Sequence, residues 1–118
     1  MGLVYEPLAA YQAVANTTIQ NPDLVTFTVE DLPSGATWVR CLVYVLPIAQ
    51  LATRVHFGHQ SKSGVIEDSV YNYSTFNEYN YHSDHVVTKL DSSDRIGCYC
   101  PAGQCTVYIK VTGYYEPA

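Results

Sequence analysis

The residues best equipped for chemistry in this 118-residue chain are its four cysteines and four histidines. The cysteines are Cys41, Cys98, Cys100 and Cys105, the last three packed into "GCYCPAGQC". Such a cluster invites a zinc reading, but structural zinc usually takes C-x(2–4)-C pairs. Here the steps are C-x-C and C-x(4)-C, which fit poorly. Strand geometry offers another account. If "PAGQ" turns a hairpin, Cys100 faces Cys105, Cys98 faces Val107 and Ile96 faces Ile109, and opposed residues share a face. All three thiols then lie with Val107, Ile109 and Val111 on an apolar face, where cysteine packs as a small hydrophobe. Buried reduced thiols are the leading expectation. A Cys100–Cys105 disulfide and a metal site are the alternatives.

The histidines form two H-x-x-H pairs, His56 with His59 and His82 with His85. On a strand, residues three apart point to opposite faces, so neither pair is pre-set as a chelate. No metal or other cofactor is expected. There is no G-x-S-x-G elbow, no glycine-rich phosphate loop and no H-E-x-x-H, and Asp31, Asp91 and Asp94 sit beside turns. The chain reads as a non-enzyme.

A tyrosine-rich stretch, "YNYSTFNEYNYHSDH", is the other conspicuous feature. Tyr71 and Tyr73 share one strand face, as do Tyr79 and Tyr81, and "STFNE" could turn the chain between them. Tyrosine combines apolar area with a hydrogen-bonding tip, which suits both protein interfaces and sugar rings. It is also simply a favoured strand residue. These four are a candidate ligand surface.

The elements that must carry these residues read as strands. "LVTFTVE" alternates apolar and polar with period two, and "DLPSG" supplies turn chemistry. "TWVRCLVYVLP" is apolar on both faces: Val39, Cys41, Val43 and Val45 on one, Trp38, Leu42, Tyr44 and Leu46 with Arg40 on the other. A strand apolar on both sides is covered on both sides. One side would be a core. The other, carrying Trp38, Arg40, Leu42 and Tyr44, is expected to meet a loop, a helix or another subunit. Further strands are read at "LATRVHFGH", "VIEDSVYNY", "DHVVTKL", "RIGCYC" and "CTVYIKVTGYY". Strands at this spacing, separated by turn signals, predict an all-β sandwich or barrel over 24–118. Residues 1–23 are expected to form an N-terminal arm or short helix, since Leu8, Tyr11 and Val14 fall at helical spacing.

Charged residues make up only 14% of the chain, against about 25% in a typical soluble domain. Part of the surface is therefore expected to be hidden against copies of the chain or a partner. The net charge is −5 and the six Lys and Arg are scattered, which argues against nucleic acid, where phosphate contacts dominate affinity. No apolar run approaches the roughly 20 residues that span a bilayer. The first residues lack the basic start and apolar run of a signal peptide, so synthesis in a cytoplasm is expected.

Three stretches resemble small β-sandwich, jelly-roll-like virion proteins of tailed bacteriophages. They are "VTFTVEDLPSGATWVRCLVYVLP", "RVHFGHQSKSGVIEDSVYNYS" and "TVYIKVTGYYE". The resemblance covers roughly 24–116 and is one of pattern, and the cysteine-rich segment departs from it. It implies an antiparallel β-sandwich located in the virion, as a capsid decoration or cement protein or a tail-fibre domain. It also implies self-association, with a trimer favoured, capsid or tail proteins as partners, and a host glycan as the alternative ligand.

Overall fold

Alternation of inward and outward side chains along its longest apolar run sets the architecture. The computed structural model describes residues 2–20, 23–48, 53–58, 68–72, 82–101 and 103–118. Eight strands are seen among them: β1 Leu3–Gln20, β2 Val25–Thr28, β3 Trp38–Pro47, β4 Thr53–Phe57, β5 Asp68–Asn72, β6 His82–Lys89, β7 Arg95–Tyr99 and β8 Gln104–Pro117. They build two four-stranded sheets, ordered β1-β8-β3-β6 and β2-β7-β4-β5. Every ladder is antiparallel. Only β4 and β5 are consecutive strands paired within one sheet; every other connection crosses to the opposite sheet. This is the two-sheet jelly-roll form of the antiparallel sandwich.

The crossing connections explain the first correction. β7 and β8 do not form the hairpin that "PAGQ" predicts. β7 pairs with β2 and β4, β8 with β1 and β3, and the two strands lie in different layers. The apolar faces of both are nonetheless as expected, because each turns its cysteines toward the space between the sheets. Cys41, Cys98, Cys100 and Cys105 are all reduced and all buried. Burial pushes the thiols of Cys41 and Cys98 up to about 12, with the neighbouring Cys41 and Cys100 adding to the effect at Cys98. At neutral pH they are protonated and pack as apolar groups.

The second correction concerns the N-terminus, where the helix reading fails. Residues Leu3–Gln20 are extended as β1 and run alongside β8 from Leu3–Pro117 to Gln20–Gln104. Ala15 and Ile19 enter the core. Leu8 and Val14 pack against it, but Tyr11, which helical spacing would put on the same side, is 60% exposed. Pairing with a 14-residue neighbour satisfies more backbone groups than a short isolated helix could.

The register of β1 slips twice, between Pro7 and Gln12 and between Ala13 and Ala15. At the first slip the Gln12 side chain leaves its sheet to act as a backbone surrogate. Its Nε2 donates to the Glu30 carbonyl at 2.9 Å, and its Oε1 accepts from the Glu30 amide at 2.8 Å. This ties β1 to the exit of β2 in the other layer. β8 carries the complementary irregularity at Thr112, skipped in the β3 register, whose Oγ1 donates to the Arg40 carbonyl at 3.1 Å.

The turns behave as their aspartates dictate. Asp31 and Asp94 take left-handed conformations, with φ of 60° and 57°. In the turn after β6, one Asp91 oxygen accepts from the amides of Ser93 and Arg95, and the other pairs with the Arg95 guanidinium at 2.9 Å. Burial works to raise the Asp91 pKa, but these hydrogen bonds and the cation outweigh it and hold the carboxyl below its usual range.

Candidate functional site: the outer face of the β1-β8-β3-β6 sheet

β3 lies inside its sheet, between β8 and β6, and its two faces meet different surroundings. Val39, Cys41, Val43 and Val45 are fully buried against the other layer. Trp38, Arg40, Leu42 and Tyr44 point the opposite way and are each half-buried. These four form an outward face of β3, whereas Leu46, which the sequence reading set on the same face, is buried.

The ladder shows what stands beside them. Trp38 is opposite Tyr115 and Lys89, Leu42 opposite Lys110 and His85, and Tyr44 opposite Tyr108 and Ser83. Tyr5 of β1 lies next to Tyr115, with ring centroids 5.1 Å apart and planes tilted by 51°. The Arg40 guanidinium carbon is 5.9 Å from the centre of the Tyr5 ring. That ring crosses Gly113 so closely that a β-carbon there would stand 2.5 Å from Tyr5 Cε1 and Cζ. Gly113 thus lets an aromatic ring lie across the sheet.

Further along, Tyr44 and Tyr108 meet edge to face, 6.0 Å between centroids at 77°, and Lys110 Nζ is 5.2 Å from the centre of the Tyr108 ring. Asn16, Tyr44, Tyr108 and Lys110 line an open depression of about 320 Å³. Arg40, Lys89 and Lys110 lie in line with these rings, so three of the chain's six Lys and Arg gather on one face of an acidic protein. Aromatic area with interspersed cations is suited to docking an acidic, partly apolar partner.

Tyr5, Tyr108, Lys110 and Tyr115 were not singled out from the sequence. The signal for two of them was present: once Val107, Ile109 and Val111 are assigned inward, Tyr108 faces outward by alternation, and so does Lys110. Tyr5 could not be found that way, because its place depends on the β1–β8 register.

The tyrosine-rich surface stands differently. Tyr71 belongs to β5, where its backbone is opposite Arg54, while Tyr73, Tyr79 and Tyr81 lie outside the described residues. Among the histidines, His56 is buried beside Tyr99, ring centroids 5.3 Å apart. Its pKa is lowered, first by burial and then by the nearby Arg54 charge. His85 is exposed on β6, His82 shares that strand's backbone, and His59 is outside the described residues. Among the described residues, no group of three His, Cys, Asp or Glu side chains is placed to hold a metal ion.

The class defined by this architecture is the jelly-roll β-sandwich. Particular solved structures similar to the chain are coat proteins of a plant virus. The Tobacco streak virus coat protein in its C2 crystal form is 12% identical, with a TM-score of 0.37 over 98% of this chain and 87% of that one. The Tobacco streak virus coat protein dimer is 11% identical, with a TM-score of 0.33 over 98% of this chain and 86% of that one. No protein-family model matches the chain, and no curated protein sequence does.

Proposed function

We propose that this chain is a non-catalytic structural protein of a virion. It acts as a decoration or cement subunit that holds neighbouring shell proteins through the outer face of the β1-β8-β3-β6 sheet. The supporting observation is the placement of Trp38, Leu42 and Tyr44, partly exposed on an inner strand whose other face already forms the core. A solvated face of an antiparallel sheet is normally polar. Here it carries tyrosine, tryptophan and arginine, the residue types that dominate binding at interfaces. A specific interface buries about 1,200–2,000 Å² in total. Jelly rolls recur in capsid and lectin domains, and that part of the reading is analogy of fold. The tailed-bacteriophage assignment rests on the strand and turn patterns noted in the sequence.

Co-sedimentation with purified particles tests the proposal. The chain should pellet with them, and its single tryptophan, Trp38, should shift its emission to the blue as the face is covered. Leu42→Lys should strip the chain from the particles while leaving its melting temperature within a degree or two. A wild-type chain that stays in the supernatant with unmoved Trp38 emission overturns the reading.

The depression formed by Asn16, Tyr44, Tyr108 and Lys110 favours a second reading, a glycan-binding face, because it sets stacking rings beside an amide and a cation. That reading predicts saturable sugar binding that Tyr108→Ala abolishes.

A further inference from the structure

A sheet ends in two edge strands, each offering a row of backbone groups to any strand that comes near. The four edges of this sandwich are not equally protected. β2 and β5, which close the second sheet, are only 4 and 5 residues long. β6 carries Asp84, His85 and Lys89, all exposed, and charge on an edge discourages pairing. β1 is 18 residues long, contains no Lys or Arg, and has Glu6 as its single charged residue. Leu3, Val4 and Tyr11, the large hydrophobic side chains that stand exposed among the described residues, all belong to it.

Pro7 and the two register slips interrupt the first part of this strand. Beyond them, Ala15–Gln20 pairs with β8 without irregularity, from Ala15–Ile109 to Gln20–Gln104. Its sequence, "ANTTIQ", is uncharged and holds three β-branched residues in a row. No described strand lies on its outer side.

We infer that this edge pairs with the same edge of a second copy, antiparallel, about a two-fold axis at Thr18, normal to the sheet. The charge distribution selects that occupant. Two chains of net charge −5 repel, and "ANTTIQ" lets their backbones meet with no ionised group in the ladder. The two-fold places Thr18 opposite the second copy's Thr18, both on the outer face with Asn16, and cross-strand threonine pairs add stabilisation. Glu6 falls outside the paired segment, so no carboxylates are brought face to face. Pairing of this kind satisfies the outward backbone groups of both copies and is the isologous contact expected of a two-fold dimer. It fuses the two β1-β8-β3-β6 sheets into one of eight strands. Asn16, at the rim of the Tyr44–Tyr108 depression, then lies beside the seam, so the two outer faces become continuous. The resemblance to phage proteins favoured a three-fold; this edge favours a two-fold.

Sedimentation equilibrium at high micromolar concentration should give twice the chain mass for the wild type. Thr17→Lys with Thr18→Lys should halve it while leaving the far-ultraviolet circular dichroism unchanged. Because the four native thiols are buried, Thr18→Cys introduces a reactive one, and a short bismaleimide should link that variant into dimers and leave wild type unlinked. A wild type of single-chain mass, or a lysine variant that keeps the double mass, overturns the inference. Leu42→Lys should leave the mass doubled, so failure of the virion proposal and failure of this one are separately visible.

Discussion

The two faces of β3 share one backbone and differ in every other respect. On the inner face Val39, Cys41, Val43 and Val45 are fully buried in a core that also takes residues from β1, β4, β5, β6, β7 and β8. On the outer face Trp38, Arg40, Leu42 and Tyr44 are half-buried among tyrosines and cations. Covering a valine-sized side chain contributes about 1.5–3 kcal/mol, so the inner face carries stability. The outer face keeps apolar area in water, which a domain selected for stability alone would replace with polar groups. The difference teaches that a strand apolar on both sides can serve two ends, holding its own fold together on one side and presenting area to others on the opposite side.

The strongest way to break that division is to cut into the inner face. Ile109 faces Val43 across the ladder and is fully buried. Ile109→Ala should cost about 2–5 kcal/mol in urea unfolding, because a cavity is left where neighbours cannot collapse. A loss below about 1 kcal/mol would mean that the inner face is not the close-packed layer described above.

A second test uses the inner thiols. The folded-state pKa values of Cys41 and Cys98 are raised from 9.0 to about 12. Groups with raised folded pKa contribute stability that is complete below the unfolded value. That stability is lost as pH climbs from 9 toward 12, since only the unfolded chain releases the protons. Linkage gives roughly 1.4 kcal/mol per thiol per pH unit in that window, so about 2–3 kcal/mol should be gone by pH 10. Denaturation curves at pH 8 and pH 10 would measure it, and replacing both cysteines with alanine should flatten the alkaline limb. An unchanged slope in that variant would show that other groups govern alkaline unfolding.

The smallest effect belongs to the outer face. Gly113→Ala forces the Tyr5 ring off the sheet, and the ring end of a surface tyrosine can swing aside. Stability should fall by about 1 kcal/mol, the centre of the range for single substitutions. Partner binding should weaken far more than stability does, and thermal melting set beside co-sedimentation would show whether the two properties separate.

Much of this division was legible in the sequence. Period-two alternation in 37–47 separates the two faces of β3 without any knowledge of its neighbours, and it places Cys41 inward. What could not be read was which strand lies beside which. "PAGQ" looks like a hairpin loop because local spacing cannot distinguish a turn within one layer from a step between layers. Residues 3–20 show a helix-like spacing at Leu8, Tyr11 and Val14, and it is the long β8, distant in sequence, that decides for extension. Tyr5 and Tyr115 enter the site only through that non-local pairing. The Gln12 clasp gives no sequence signal at all, since a glutamine in a strand is unremarkable until its amide is found copying a peptide group.

That clasp makes the protein vulnerable to chemical ageing at a single nitrogen. Deamidation of Gln12 would replace the donor that faces the Glu30 carbonyl with an anionic oxygen, turning one half of the tie from attraction to repulsion. The longest strand of the sandwich would then be loosened near its middle by a change of one mass unit, with no bond of the main chain broken.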